Sequence, residues 1–118
     1  MNTRFVGSRF EEQACTYLQE AGYTLLARNY RTHTGEIDII VSGEGYLVFL
    51  EVKYRRTSSC GFGQEHVDKR KQQKIYKAAQ QYLLRFYAKN MPPCRFDVIA
   101  IDGTGRLEHI KNAFERWD

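Results

Sequence analysis

Residues 35–56 read GEIDIIVSGEGYLVFLEVKYRR, and the fold turns on how this stretch is read. Two apolar runs, IDIIV (37–41) and YLVFLEV (46–52), flank the glycine-containing segment SGEG (42–45). That arrangement predicts a β-hairpin. Each run also carries a carboxylate where a buried strand should carry none, Asp38 in the first and Glu51 in the second, with Lys53 two residues beyond Glu51. Side chains alternate along a strand, so Phe49, Glu51 and Lys53 share one face, and Glu36, Asp38 and Ile40 share a face of the preceding strand. Pairing through the short turn then brings Asp38 beside Glu51 and Lys53.

Upstream, Phe10, Ala14, Tyr17, Leu18 and Ala21 recur at spacings of three and four, which predicts a helix over 4–21, stopped by Gly22. YTLLARNY (23–30) predicts a short strand, and RTSSCGFGQEH (56–66) a loop. From about residue 67 to 88 a long helix is predicted, with Ile75, Ala79, Tyr82 and Phe86 toward the core. Arg70, Lys74, Lys77, Gln81 and Arg85 gather on another side as a basic stripe. MPP (91–93) ends it, and CRFDVIAID (94–102) and RLEHIKNAF (106–114) read as two strands about DGTG. The predicted order is α-β-β-β-α-β-β. It describes one α/β domain over 1–118, a mixed sheet flanked by helices.

Size and composition agree with a single packed domain: 118 residues, 42% hydrophobic and 14% aromatic. No apolar run approaches the ~20 residues of a membrane-spanning helix. The first residues, MNTRFVGSRFEEQ, lack the apolar centre of a secretion signal, so a cytoplasmic protein away from membranes is expected. Cys15, Cys60 and Cys94 are scattered, as are His33, His66 and His109, which argues against a disulfide framework or a zinc site. Cys15 and Cys94 read as small apolar fillers.

The formal net charge of +4 conceals an asymmetry. Within 53–90, Lys53, Arg55, Arg56, Lys69, Arg70, Lys71, Lys74, Lys77, Arg85 and Lys89 face only Glu65 and Asp68. The flanking segments are both net acidic. Such a block is either a solvated helix face or a surface for a polyanion, whose condensed counterions each lysine or arginine can release.

Two half-buried carboxylates side by side repel each other and are costly without a counter-charge. Lys53 supplies one positive charge, and a divalent metal would supply more. Oxygen ligands with water make the hard site that Mg²⁺ prefers. The chemistry that suits such a site beside a basic segment is phosphodiester hydrolysis, with a lysine stabilising the charge of the transition state. The plainer reading is a salt-bridged cluster at a sheet edge, where charges deter aggregation.

The pattern D-(x)₁₂-E-V-K at Asp38, Glu51 and Lys53 resembles the D…(D/E)-x-K signature of the restriction-endonuclease-like nuclease superfamily. More narrowly, residues 7–114 resemble the YraN-like family of small bacterial proteins, related to Holliday-junction resolvases. The blocks that carry the likeness are GSRFEEQACTYLQEAGYTLLARNYR, GEIDIIV, LVFLEVKYRR, GFG, KRKQQKIYKAAQQYL and CRFDVIAI…HIKNAF. The resemblance implies a restriction-endonuclease-like fold and a Mg²⁺- or Mn²⁺-dependent nuclease acting on DNA, with branched or junction DNA the implied substrate. It implies Asp38 and Glu51 as metal carboxylates, the carbonyl of Val52 as a further ligand, and Lys53 as the superfamily lysine. Glu11 matches the glutamate of G-x-x-x-E-x-x-A in the first helix, which related resolvases place near the metal. Arg55, with Arg56, Gln64, Lys71 and Lys74, is then expected at the phosphates. Resolvases cut two strands symmetrically as dimers, so a homodimer is also expected. The alternative is a nucleic-acid-binding module that keeps this fold and basic surface and cuts nothing.

Overall fold

In the computed structural model, residues 3–55 and 67–114 are described, with side chains from residue 9 onward. Cys60 and the predicted contacts Arg56 and Gln64 lie outside the described residues. The elements run α1 (Thr3–Glu20), β1 (Thr24–Thr32), β2 (Gly35–Gly43), β3 (Tyr46–Arg55), α2 (Lys69–Tyr87), β4 (Cys94–Asp102) and β5 (Leu107–Ile110). This is the α-β-β-β-α-β-β order expected, in a single α/β domain.

The hairpin forms where the sequence placed it. Glu44 (φ 57°) and Gly45 (φ 84°) make a two-residue turn with both central residues left-handed. Such a turn matches the twist of the strands it joins. The five strands lie in sequence order, β1-β2-β3-β4-β5. All neighbours are antiparallel except β3 and β4, which run parallel and are joined through α2. A parallel pair needs such a crossover, and a helix returning over the sheet supplies it.

The helices cover opposite faces. Ala14, Cys15 and Leu18 of α1 pack on Ile39, Val41, Val48, Leu50, Ile99 and Ile101. Ile75, Ala79 and Tyr82 of α2 pack on Ile37, Ile40, Phe49 and Phe96. β3 and β4 are therefore buried on both sides, which accounts for their nearly unbroken apolar sequence.

One irregularity positions the site. Strict alternation would put Ile37 with Ile39. Instead Ile37 and Ile40 lie under α2, while Ile39 and Val41 lie under α1. The phase changes at Asp38. On the neighbouring strand the same change falls between Arg28, which pairs with Ile39, and Tyr30, which pairs with Ile37. Asn29 between them takes a left-handed φ of 51°, a conformation asparagine tolerates better than most residues. The expectation that Glu36, Asp38 and Ile40 share one face fails here, because Ile40 lies with Ile37, and Glu36 pairs with Arg31 at 3.4 Å.

Two boundaries also differ. Phe86, expected in the core, is 55% exposed. The buried side of α2 runs through Gln72, Ile75, Tyr76, Ala79 and Tyr82, and in the last turn Leu83 and Tyr87 take the sheet-facing positions. Residue 86 is one step, ~100°, off that line. The last strand is only four residues, because Asn112 turns left-handed (φ 52°) and Ala113 N–H bonds to Phe96 O at 2.8 Å.

β2 starts close against α2. A Cβ on Gly35 would stand 2.7 Å from the backbone carbonyl oxygen of Lys74, so the helix would have to move. Gly35→Ala is expected to destabilise the domain by about 1–3 kcal/mol, the usual penalty of overpacking, measured by urea unfolding. An unchanged midpoint would mean that α2 is not seated on β2 as described.

Candidate functional site

Asp38 stands at the strand break, and Glu51 lies on the α2-facing side of the central strand. The β2–β3 ladder runs from Gly43 opposite Tyr46 to Ile39 opposite Leu50. One step further brings Asp38 level with Glu51, and there Asp38 Oδ2 accepts the backbone N–H of Val52 at 2.8 Å. Glu51 is buried, 6% exposed. Its Oε1 is ion-paired with the ammonium of Lys71, in the first turn of α2. That helix begins at Asp68, whose side chain accepts the N–H of Lys71 at 2.9 Å. The cap orients the first turn, and the positive end of the helix adds to the field there.

The carboxylates are short of positive charge. Burial, and next to it the charge of Glu51, pushes the Asp38 carboxyl up to about 7, with Glu11 adding to the rise. The Val52 N–H and Lys71 oppose that shift without cancelling it. Burial by itself would lower the Lys71 pKa, but the bond and charge of Glu51 outweigh it and the ammonium is held above its ordinary value.

A second buried carboxylate shows what full compensation looks like. Asp97 is wholly buried. Arg95 donates to its Oδ1 through Nε at 2.9 Å and to its Oδ2 through Nη2 at 2.9 Å. Asn112 N–H donates to Oδ1 at 2.9 Å, and His109 Nε2 lies 2.7 Å from Oδ2. Tyr17 in turn meets His109 Nδ1 at 3.0 Å. Burial acts to raise the pKa of Asp97, yet these partners hold it below the ordinary value. The Arg95–Asp97–His109–Tyr17 cluster ties α1 and β5 to β4. Its sequence signal is the pair of charges flanking Phe96 in R-F-D (95–97), the same spacing that marks E-V-K.

The other predicted residues fall around the pair. Glu11 is close enough to raise Asp38, while its own ion-pair partner is Arg28, at 4.0 Å. Lys53 is half-buried and follows Glu51 on the same face, opposite Ala100 of β4. Val52 serves Asp38 through its N–H, and its side chain packs under α1. Arg55 is exposed at the end of β3. Arg70, Lys74, Lys77 and Arg85 are exposed along α2, whereas Gln81 is half-buried and donates to Thr34 Oγ1 at 3.3 Å. The contact between Lys71 and Glu51 was not legible in the sequence. A cavity of about 580 Å³ lined by Gln80, Leu83, Leu84, Met91, Pro92 and Cys94 lies at the far end of α2 and holds no ionisable group but Cys94.

A hard divalent cation fits the donor set. A buried and a half-buried carboxylate with too little compensating charge are what Mg²⁺ binds, keeping several waters of its own. Among the described residues no three His, Cys, Asp or Glu side chains converge. Asp38 and Glu51 are the two side chains here that could hold such an ion.

The family model described as "Uncharacterised protein family UPF0102" matches residues 10–101. A UPF0102 protein of Lachnoclostridium phytofermentans is 44% identical over 117 residues, covering 99% of this chain and 98% of the relative. One from Legionella pneumophila is 40% identical, covering 96% and 97%, and one from Persephonella marina 41%, covering 92% of each. The chain belongs to the UPF0102 family.

The raised carboxyl carries a stability prediction. Asp38 is protonated in the fold up to about pH 7, but ionises in the unfolded chain near pH 4. Its contribution is therefore fully present below about pH 4 and is lost as pH rises through 7. Without divalent cations, Asp38→Asn should be more stable than wild type at pH 8, by on the order of 2–4 kcal/mol. The advantage should vanish near pH 4. Urea unfolding in EDTA across this range reads it, and a pH-independent difference would contradict the assignment.

Proposed function

We propose that this protein is a divalent-cation-dependent nuclease of the restriction-endonuclease-like superfamily, hydrolysing phosphodiester bonds in DNA, with branched or junction DNA its substrate class. The observation that carries the reading is the Asp38–Glu51 pair on the central strands, only partly compensated by Lys71 and the Val52 N–H. A fold gains nothing in stability from two such groups side by side, and a carboxyl as strongly raised as that of Asp38 marks a functional site. The full compensation of Asp97 makes the contrast within one molecule.

A bound Mg²⁺ or Mn²⁺ would supply Lewis acidity toward a phosphoryl oxygen and acidify a water. Asp38 and Glu51 would hold that ion, with the Val52 carbonyl as a further ligand. The Val52 N–H fixes the Asp38 carboxylate, so little reorganisation is left for the moment of reaction. Lys53, on the same strand face as Glu51, offsets negative charge developing on the phosphoryl group. Glu11 adds negative potential that favours the cation. Arg55, Lys74 and the exposed lysines and arginines of α2 meet the phosphate backbone, and Arg56 and Gln64 join that surface in this reading. The reading carries a cytoplasmic location with it, and symmetrical cutting of two strands requires a homodimer.

One observation favours a second reading, a DNA-binding module that does not cut. The Lys71 ammonium already pairs with Glu51, as it would in a site where a lysine has replaced the cation for good. One assay separates the two: linear duplex, single-stranded, flapped and four-way-junction DNA incubated with protein and Mg²⁺ or Mn²⁺. Glu51→Ala should reduce cleavage on the order of 10²–10³-fold and leave DNA affinity intact. Arg55→Ala should weaken binding and lower its salt slope by about one. Cleavage unchanged in Glu51→Ala would remove the proposed centre, and salt-sensitive binding without cleavage would select the module.

A further inference from the structure

The two ends of the Lys71–Glu51 bridge are unequal. The Glu51 side chain is 7% exposed and rooted in the central strand, while that of Lys71 is 49% exposed. Lysine carries its charge on a flexible stem that reaches water readily. If the bridge opens, it is the ammonium that leaves. The carboxylate oxygen that Lys71 holds belongs to the same group a divalent ion would need, and two cations compete for it.

We infer that Lys71 is the resident counter-ion of the Asp38–Glu51 pair, displaced when a divalent cation binds. The inference rests on the cation-site reading above. With the site empty of metal, the ammonium partly offsets the two carboxylates and keeps Glu51 from standing as an uncompensated buried charge, which costs several kcal/mol when a partner is removed. On cation binding the ammonium moves out to the first turn of α2. There it lies one turn from Lys74, which is exposed on the same helix. Filling the site thus adds a positive charge to the face that meets phosphate. Cation uptake and polyanion binding become one coupled event, and the bridge lowers the apparent cation affinity by what breaking it costs.

Calorimetric titration with Mn²⁺ alone tests this, on wild type, Lys71→Met and Glu51→Gln. Lys71→Met keeps the stem and removes the competitor, so it should bind Mn²⁺ roughly tenfold more tightly than wild type. Glu51→Gln should lose binding. A merely structural lysine predicts the opposite sign, because loosening the site weakens it. Equal or weaker binding by Lys71→Met, with binding lost in Glu51→Gln, overturns the role of Lys71 and leaves the cation site standing. Full binding by Glu51→Gln, or none by wild type, overturns the site and the role together. A second readout does not depend on Lys71→Met folding. In lysine side-chain NMR spectra of wild type, the Lys71 resonance, assigned by its loss in Lys71→Arg, should shift toward that of a solvated lysine as Mn²⁺ is replaced by diamagnetic Mg²⁺ and titrated in. A resonance that stays put while the cation binds overturns the displacement.

Discussion

Two carboxylates held next to each other at the end of a buried strand repel, and the rest of this structure is arranged around that repulsion. Burial sets the Asp38 carboxyl at about 7, and Glu51 adds to the shift. Among the described residues, the repulsion is eased by a backbone N–H on Asp38 and the Lys71 ammonium on Glu51. Neither partner neutralises the pair. What remains is an excess of negative potential aimed at the space where β3 ends and α2 begins.

The scaffold makes that placement durable. β3 is the middle strand of five, covered by α1 on one face and α2 on the other. Moving Glu51 would therefore disturb both cores. Gly35 lets β2 approach the backbone of α2, and that approach sets the distance from Asp38 to the helix that carries Lys71. On the next strand and the opposite face of the sheet, the saturated cluster around Asp97, which pairs in register with Leu50, ties α1 and β5 to β4. One polar cluster is fully paired; the other keeps the Asp38 carboxyl raised.

Much of this was legible beforehand, for local reasons. The 42–45 turn, the period-two runs on either side and the crossover helix follow from rules spanning a few residues, and they suffice for the element order. The neighbourhood of Asp38 and Glu51 follows from the hairpin register. The phase change at Asp38 and Asn29 does not, since it depends on how two strands accommodate each other across the sheet. Phe86 was misplaced because one residue of drift along a helix turns a side chain by ~100°. The Lys71 contact was hidden for a third reason. It joins an element after the loop to one before it, and no periodicity reports where a helix returns over a sheet.

Membership in UPF0102 accounts for the family resemblance seen in the sequence, and the proposed reaction rests on the carboxylate pair. The most direct test is a crystal structure grown with Mn²⁺, with an anomalous difference map recorded at the manganese edge. The account predicts one strong peak between the carboxylates of Asp38 and Glu51, roughly 2 Å from an oxygen of each, with Lys71 turned away from Glu51. A map with no peak there, and Lys71 still bridged to Glu51 at saturating Mn²⁺, would contradict it.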